Sequence, residues 1–447
     1  MTRKLVVPAV FLFALAYSFI TAPFRGADEF NYFFRAYHVS TGRILAHRAA
    51  YGVIGGELPA SLLNLATLAA DFPSMPDIKL SAAQFRSANR IQLNESERVV
   101  SNFSNTALYS PLVYLPPAIG IAFGRLVSAH PLWLFYLARC LSALVVSALL
   151  GLAIRTLPPP AGSFAVFPLL PMALFQTATI TADGVTIALS LLFAAEILRV
   201  RFDPRKFNRP SRLKYLLFAL LLSQLRPPYP LIGLAVLAVP RECFCDKADA
   251  RRFPGLFFLL LIVPCLLWSG VAASLFSQMR PGVSTEPGQQ LTLIFQAPSL
   301  FLTALHTEFV THGFRHLREL FGYFGWQNFP LPWLLIIVVA VMLLVCTCTV
   351  DTAALRLTWR MRLFFLAIAL AGLISANLII YLTWNEIGAA EVAGFQGRYL
   401  LPFLPFALIG MANGALRKFW WLPGAAIVAC LLSNLFALGL LARATFY

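Results

Sequence analysis

Apolar and polar positions along this chain fall into long blocks, not into a short helical or strand period. Apolar runs at 5–22, 131–154, 162–179, 184–198, 255–276, 331–348, 363–382, 399–416 and 420–440 are separated by short polar segments. Each is near the ~20 residues that an α-helix needs to cross hydrocarbon, so each predicts a spanning helix. A further apolar stretch, 215–239, carries basic residues on both flanks, and one straight helix cannot begin and end on the same side. Arg226-Pro227-Pro228-Tyr229-Pro230 splits it into two short arms. At 1.5 Å per residue an arm of ~10–12 residues rises only ~15–18 Å, about half a bilayer. This predicts a hairpin entering from one face, and with its two arms the pattern gives about 11 transmembrane helices.

Two stretches interrupt the pattern. Residues 23–107 mix charges with turn signals, such as Phe72-Pro73 and Met75-Pro76, and lack sustained apolar periodicity, and 277–330 forms a second large region outside the spanning runs. Residues 108–128 are apolar but broken by Pro111, Pro116 and Pro117. Prolines sacrifice backbone hydrogen bonds that lipid cannot replace, so this segment predicts an interfacial helical pair.

Basic residues fix the orientation. Arg199, Arg201, Arg205, Lys206, Arg209, Arg212 and Lys214 share one short loop, and Arg356, Arg360, Arg362, Arg417 and Lys418 sit in others. Short loops rich in Lys and Arg stay cytoplasmic. With Arg3 and Lys4, this places the N-terminus in the cytoplasm, and the first helix reads as an uncleaved signal anchor. The chain therefore reads as one all-α polytopic membrane domain over 1–447, with two large extracytoplasmic loops.

Composition agrees. Hydrophobic residues make up 59% and charged residues 12%, against roughly 25% charged in soluble domains. Mean hydropathy is +0.75. The net charge of +16 is explained by the cytoplasmic loops, and no basic patch is interleaved with exposed aromatics. Nucleic acid is thereby excluded as a partner. Of seven cysteines, Cys243/Cys245 and Cys346/Cys348 form Cys-x-Cys pairs at cytoplasmic helix ends, without the spacing of a zinc ribbon. Neither a disulfide framework nor a cofactor fingerprint is present. No metal ligand set is predicted, and the sequence leaves a divalent metal open.

A few polar residues remain that could carry chemistry. Asp28 and Glu29 follow the first helix, where a carboxylate could act as a general base towards a hydroxyl or simply be solvated. Asp183, at the turn between runs 162–179 and 184–198, either caps the following helix or lines, with Asp28, a cavity between the helices. Arg226 sits at the tip of the half-membrane hairpin beside Tyr229, where an unpaired charge is costly. It either meets an anion such as a lipid phosphate, snorkels to water, or pairs with Asp183. Arg398 and Tyr399 precede a late helix and offer either a phosphate fork or an interfacial anchor. Trp326 and Gln327 lie in an aromatic segment, 321–328, that either stacks on a sugar or forms an interfacial belt.

The order of these features resembles the GT-C superfamily of integral-membrane glycosyltransferases, and most closely a bacterial family of predicted membrane proteins of unknown function. The matching positions are Asp28 and Glu29, residues 105–116, Arg139 with Ser142, Asp183, residues 321–326, and 396–402 with its Gly397-Arg398-Tyr399-Leu400-Leu401-Pro402 ending. The resemblance implies a GT-C-like bundle in a bacterial inner membrane. It would move a sugar from a polyprenyl-phosphate donor to a cell-envelope glycan or lipid on the extracytoplasmic side. Asp28 would then be the base, with Glu29 supporting it or exchanging roles. Arg226 and Arg398 would hold the carrier phosphate, with Asp183, Tyr229, Trp326, Gln327 and Tyr399 completing the substrate site. The expected histidine soon after the acid pair is missing, and Asn31 lies near its place. A transporter or flippase of lipid-linked sugar is the alternative. It would usually show repeated halves and mid-helix charges, which this sequence lacks. A non-catalytic membrane scaffold is a third possibility.

Overall fold

The computed structural model describes residues 2–49, 52–72, 75, 77–277, 280 and 282–446. Pro73 and Pro76, where turns are expected, lie outside the described residues.

Long apolar runs become helices because lipid offers a bare peptide group no partner, so the chain must bond to itself. Four helices are long and apolar enough to cross a membrane: Pro131–Thr156, Asp249–Ser274, Trp359–Trp384 and Leu422–Phe446. Two bent pairs raise the number to six if each is one span. These are Pro159–Leu169 with Pro171–Ala178, bent by 65°, and Pro287–Gln296 with Pro298–Phe321, bent by 105°. Shorter apolar helices are Lys4–Ile20, Pro111–Leu126, Tyr229–Ala238 and Trp333–Cys348. The described chain is thus mostly helical with little strand, an all-α membrane architecture. Its outer surface fits that setting. Only 11% of the most apolar window of Asp249–Ser274 is buried within the molecule, leaving Leu256, Leu259, Leu266 and Leu267 exposed. An apolar face of that extent is stable against lipid and not against water.

Several expected runs take a different form. The run 162–179 is bent at Leu170, ahead of Pro171. The run 399–416 shrinks to the helix Leu404–Met411, preceded by a 3-10 turn over Gly397–Leu400. Pro402 and Pro405 bracket its start, and proline cannot donate to a continuing helix. The stretch 215–239 divides into helices Arg209–Ser223 and Tyr229–Ala238 around the proline-rich turn. The helix Asp183–Phe202 is buried at every residue except Arg199 and Phe202. A helix apolar on all sides is either a core element or a span. This one is enclosed by protein, packed on Pro131–Thr156, which also contacts the first helix, Thr2–Ile20.

The two polar stretches are structured. Residues 23–107 hold the helix Glu29–Ser40 and a three-stranded antiparallel sheet in the order His47–Arg48, Ile54–Pro59, Arg98–Asn102. The longer pairing runs from Gly55 opposite Asn102 to Pro59 opposite Arg98. Arg125 clamps this region by donating to both Glu95 oxygens, at 2.7 and 3.0 Å. Residues 277–330 contain the helices Pro287–Gln296 and Pro298–Phe321, then a small hairpin of Tyr323–Phe324 and Phe329–Pro330.

Candidate functional site

The first polar turn sends its two acids in opposite directions. Asp28 adopts φ 56°, ψ 12°, a left-handed conformation that costs an L-residue roughly 1–2 kcal/mol and that Asp tolerates better than most. The turn points Glu29 inward. There both of its oxygens are taken: Arg139 Nε and Nη2 donate to them at 2.8 and 2.6 Å, Ile180 N at 3.0 Å and Gly26 N at 3.2 Å. Arg139 Nη1 and Nη2 donate onward to the carbonyls of Ser18, Thr21 and Ala22, at 2.9, 2.6 and 2.9 Å. All five N–H groups of the guanidinium are thereby used. Both side chains are fully buried. Arg139 thus closes the carboxyl end of the first helix, where a cation suits the exposed carbonyls. Glu29 is a structural acid, fixed away from Asp28 and without a free oxygen for exchanging roles with it.

Asp28 turns instead towards three other charges. Burial raises its carboxyl above the ordinary carboxylate range, the Arg398 and Arg226 guanidinium groups pull it back, and Asp183 pushes it up again. Asn105 Nδ2 donates to its Oδ1 at 3.3 Å. Arg226 donates to Asp183 Oδ1 at 2.7 Å, to the Tyr109 hydroxyl at 3.2 Å and to the Tyr229 hydroxyl at 3.3 Å. Its guanidinium lies 4.7 Å from the Tyr399 ring centre and 5.4 Å from those of Tyr109 and Tyr229. The Tyr229 hydroxyl donates to the Tyr399 carbonyl at 3.1 Å. Tyr32 stacks on Tyr109 with ring centres 6.5 Å apart. Arg398 lies 5.6 Å from the Tyr399 ring centre, and its buried Nε has no hydrogen-bond partner among the described residues.

Five separate parts of the chain therefore meet here: the turn after the first helix, 105–109, the start of Asp183–Phe202, the 226–229 turn and 398–399. Of the residues expected from the sequence, Asp28, Asp183, Arg226, Tyr229, Arg398 and Tyr399 are brought together. Asp183 sits in the first turn of its helix, and the cap residue is Ala182, so its carboxylate is spent on Arg226. Trp326 stands at the edge, stacked on Phe30 at 5.7 Å and donating to the Phe24 carbonyl at 3.3 Å. Gln327 does not join the group. It accepts a bond from Arg315 in a neighbouring cleft. Asn105, Tyr109 and Tyr32 were not singled out from the sequence. The available signal was that Asn105 and Tyr109 fall in the 105–116 segment that carries the family resemblance.

The neighbouring cleft, about 180 Å³ in volume, holds the described residues best placed to bind a metal. Glu308, His312 and Glu391 offer ligand atoms within 4.8 Å of one another. His316 joins Glu308 Oε1 at 2.8 Å to Glu319 Oε2 at 3.0 Å, and Glu319 Oε2 accepts from Gly397 N at 2.7 Å. A Cβ on Gly397 would lie 1.9 Å from the His316 carbonyl oxygen, so only glycine permits this approach. The cleft thus abuts the backbone that delivers Arg398.

What the Asp28 group can do follows from its charges. One carboxylate lies beside two guanidinium groups, one of them held by a second carboxylate and walled by tyrosines. It could accept a proton and hold an anion in the same place. No curated protein and no solved structure matches the chain. Residues 11–407, nearly the whole length and every member of the Asp28 group, match the family described as predicted membrane protein (DUF2142), and the chain belongs to that family.

Proposed function

We propose that the protein is a GT-C-like glycosyltransferase of the bacterial inner membrane, with a bundle of about 11 transmembrane helices and its site on the extracytoplasmic side. The donor would be a polyprenyl-phosphate sugar and the acceptor a cell-envelope glycan or lipid. The observation that carries this reading is the meeting of Asp28 with Arg226 and Arg398. In a single inverting displacement the acceptor hydroxyl oxygen attacks the anomeric carbon while Asp28 takes its proton. The bond from that carbon to the phosphate oxygen breaks, and the electron pair stays on the phosphate. Arg226 and Arg398 neutralise that growing charge, a form of electrostatic stabilisation that is usually the largest single term in catalysis. Asp183 holds Arg226 in position, and the tyrosine rings suit a sugar face. Glu29 has no part in the chemistry on this reading.

The test is a membrane assay with labelled polyprenyl-phosphate sugar, scored both for label on a new acceptor and for movement of intact lipid. Transfer supports the proposal. Movement of the lipid without transfer would assign the chain to transport instead.

A further inference from the structure

The polar cleft beside the Arg398 loop has features that the Asp28 chemistry does not use. Glu308 and His312 lie one turn apart on the Pro298–Phe321 helix, on the face shared by residues four apart. Glu391 comes from the loop after Trp384, and its Oε2 lies 3.7 Å from His312 Nε2. Glu308 is only 3% exposed. Its Oε1 is engaged by His316, while its buried Oε2 has no hydrogen-bond partner among the described residues. Gln396 Oε1, from another residue lining the cleft, is likewise buried without a donor among the described residues. A buried acceptor left unpaired costs about 1–3 kcal/mol, and more when charged. Two such oxygens on residues lining one polar cleft, next to a second carboxylate and an imidazole, call for a cation.

We propose that Glu308, His312 and Glu391 form a divalent-cation site, for Zn²⁺ or Mn²⁺, that clasps the Pro298–Phe321 helix to the loop leading into Arg398. Two carboxylates and one imidazole are the donor set of borderline to hard divalent ions, and no thiolate is present to favour a soft one. Ligand atoms at about 2.0–2.2 Å from an ion stand ~3.4 Å apart in tetrahedral geometry. The spread of up to 4.8 Å closes by small turns of His312 and Glu391, which are 36% and 47% exposed, while buried Glu308 stays fixed. His316 orients Glu308 from behind, the usual role of a histidine or carboxylate standing outside a metal's own ligands. Through Glu319 it also reaches Gly397 N, one residue before Arg398. The ion would therefore fix the two segments between which that arginine is hung. The site stands whether or not the Asp28 group transfers sugar.

The test uses full-length protein in detergent, stripped with EDTA and titrated calorimetrically with ZnCl₂ and separately with MnCl₂. It is run beside His312→Ala and the double variant His312→Ala/Glu391→Ala, whose partly exposed positions leave the packing intact. The expected result is one equivalent of at least one of the two ions per chain. Affinity falls at least tenfold in the single variant, and the ion raises the melting temperature of the wild type but not of the double variant. Equal uptake by wild type and double variant, or no uptake by the wild type, would overturn the proposal.

Discussion

Arg226 donates to Asp183 Oδ1 at 2.7 Å, with only 12% and 6% of the two side chains exposed. The pair locks the 226–229 turn to the start of the Asp183–Phe202 helix and aims the guanidinium at the ring of tyrosines. Breaking a buried pair from one side strands the other charge, at about 3–5 kcal/mol. Asp183→Asn should therefore lower the melting temperature in detergent by more than Asp183→Asn/Arg226→Gln adds to Arg226→Gln alone. Additive losses would show that the two groups are not coupled.

The two neighbouring acids should behave as opposites. Glu29→Gln disturbs a fully buried carboxylate that receives four donors, so it should cost several kcal/mol of stability. Asp28→Asn, whose carboxylate accepts one long bond at 3.3 Å, should leave the melting temperature within a few degrees of wild type. Thermal unfolding of the two variants side by side checks this contrast.

On the proposed mechanism, transfer should carry an acid limb set by Asp28. Burial raises its carboxyl, so at a given acidic pH more of it is protonated than of a free aspartate, and a protonated base cannot accept the acceptor's proton. The transfer rate should fall as pH drops through a value above 3.8, and it should be flat above that value. Arg398 is the first of the groups pulling the carboxyl back down. Arg398→Gln should consequently move the limb to higher pH, and an unchanged pH–rate profile in that variant would separate the two residues.

His38 makes a separate prediction about stability. Its ring is buried beside Arg35 and against Gly56, and burial followed by the nearby Arg35 and Arg43 charges lowers its pKa to about 4. The unfolded chain then binds a proton that the folded one refuses between about 6.5 and 4. Stability is full above pH 6.5 and is lost as pH falls through that window, by on the order of 3 kcal/mol. Melting curves from pH 7.5 to 4.5 should show this slope, reduced in His38→Gln.

Gly397→Ala should act on Arg398 without touching its charge. The added Cβ would meet the His316 carbonyl oxygen at 1.9 Å, which forces the 396–400 loop away from the Pro298–Phe321 helix. Donor affinity should fall as it does for Arg398→Gln, measured as a rise in KM for the lipid-linked sugar.

The sequence made the strongly apolar helices legible. Pro131–Thr156 and Trp359–Trp384 lie where uninterrupted runs predict them, and the proline-rich turn at Arg226 separates two helices as its composition demands. The different partners of Glu29 and Asp28, Arg139 for one and the Arg226 and Arg398 group for the other, were not legible. Asp28 takes a left-handed conformation at the turn, which Asp tolerates better than most residues but which residue type alone does not announce. The cleft at Glu308 was missed for another reason. Glu308, His312 and His316 recur every four residues, a readable polar stripe, but they fall in 277–330, outside the uninterrupted apolar runs, and Glu391 is far away in sequence. The run 399–416 read as one span because hydropathy counts Pro402 and Pro405 as ordinary apolar positions, although neither can donate a backbone hydrogen bond.

On the proposed mechanism Asp28 removes the acceptor's proton at a phosphate site built by Arg226 and Arg398. Single-turnover transfer from a labelled polyprenyl-phosphate sugar by purified Asp28→Asn isolates that step. A rate at least 100-fold below wild type, with donor binding and melting temperature preserved, is the expected result; transfer at the wild-type rate would contradict it.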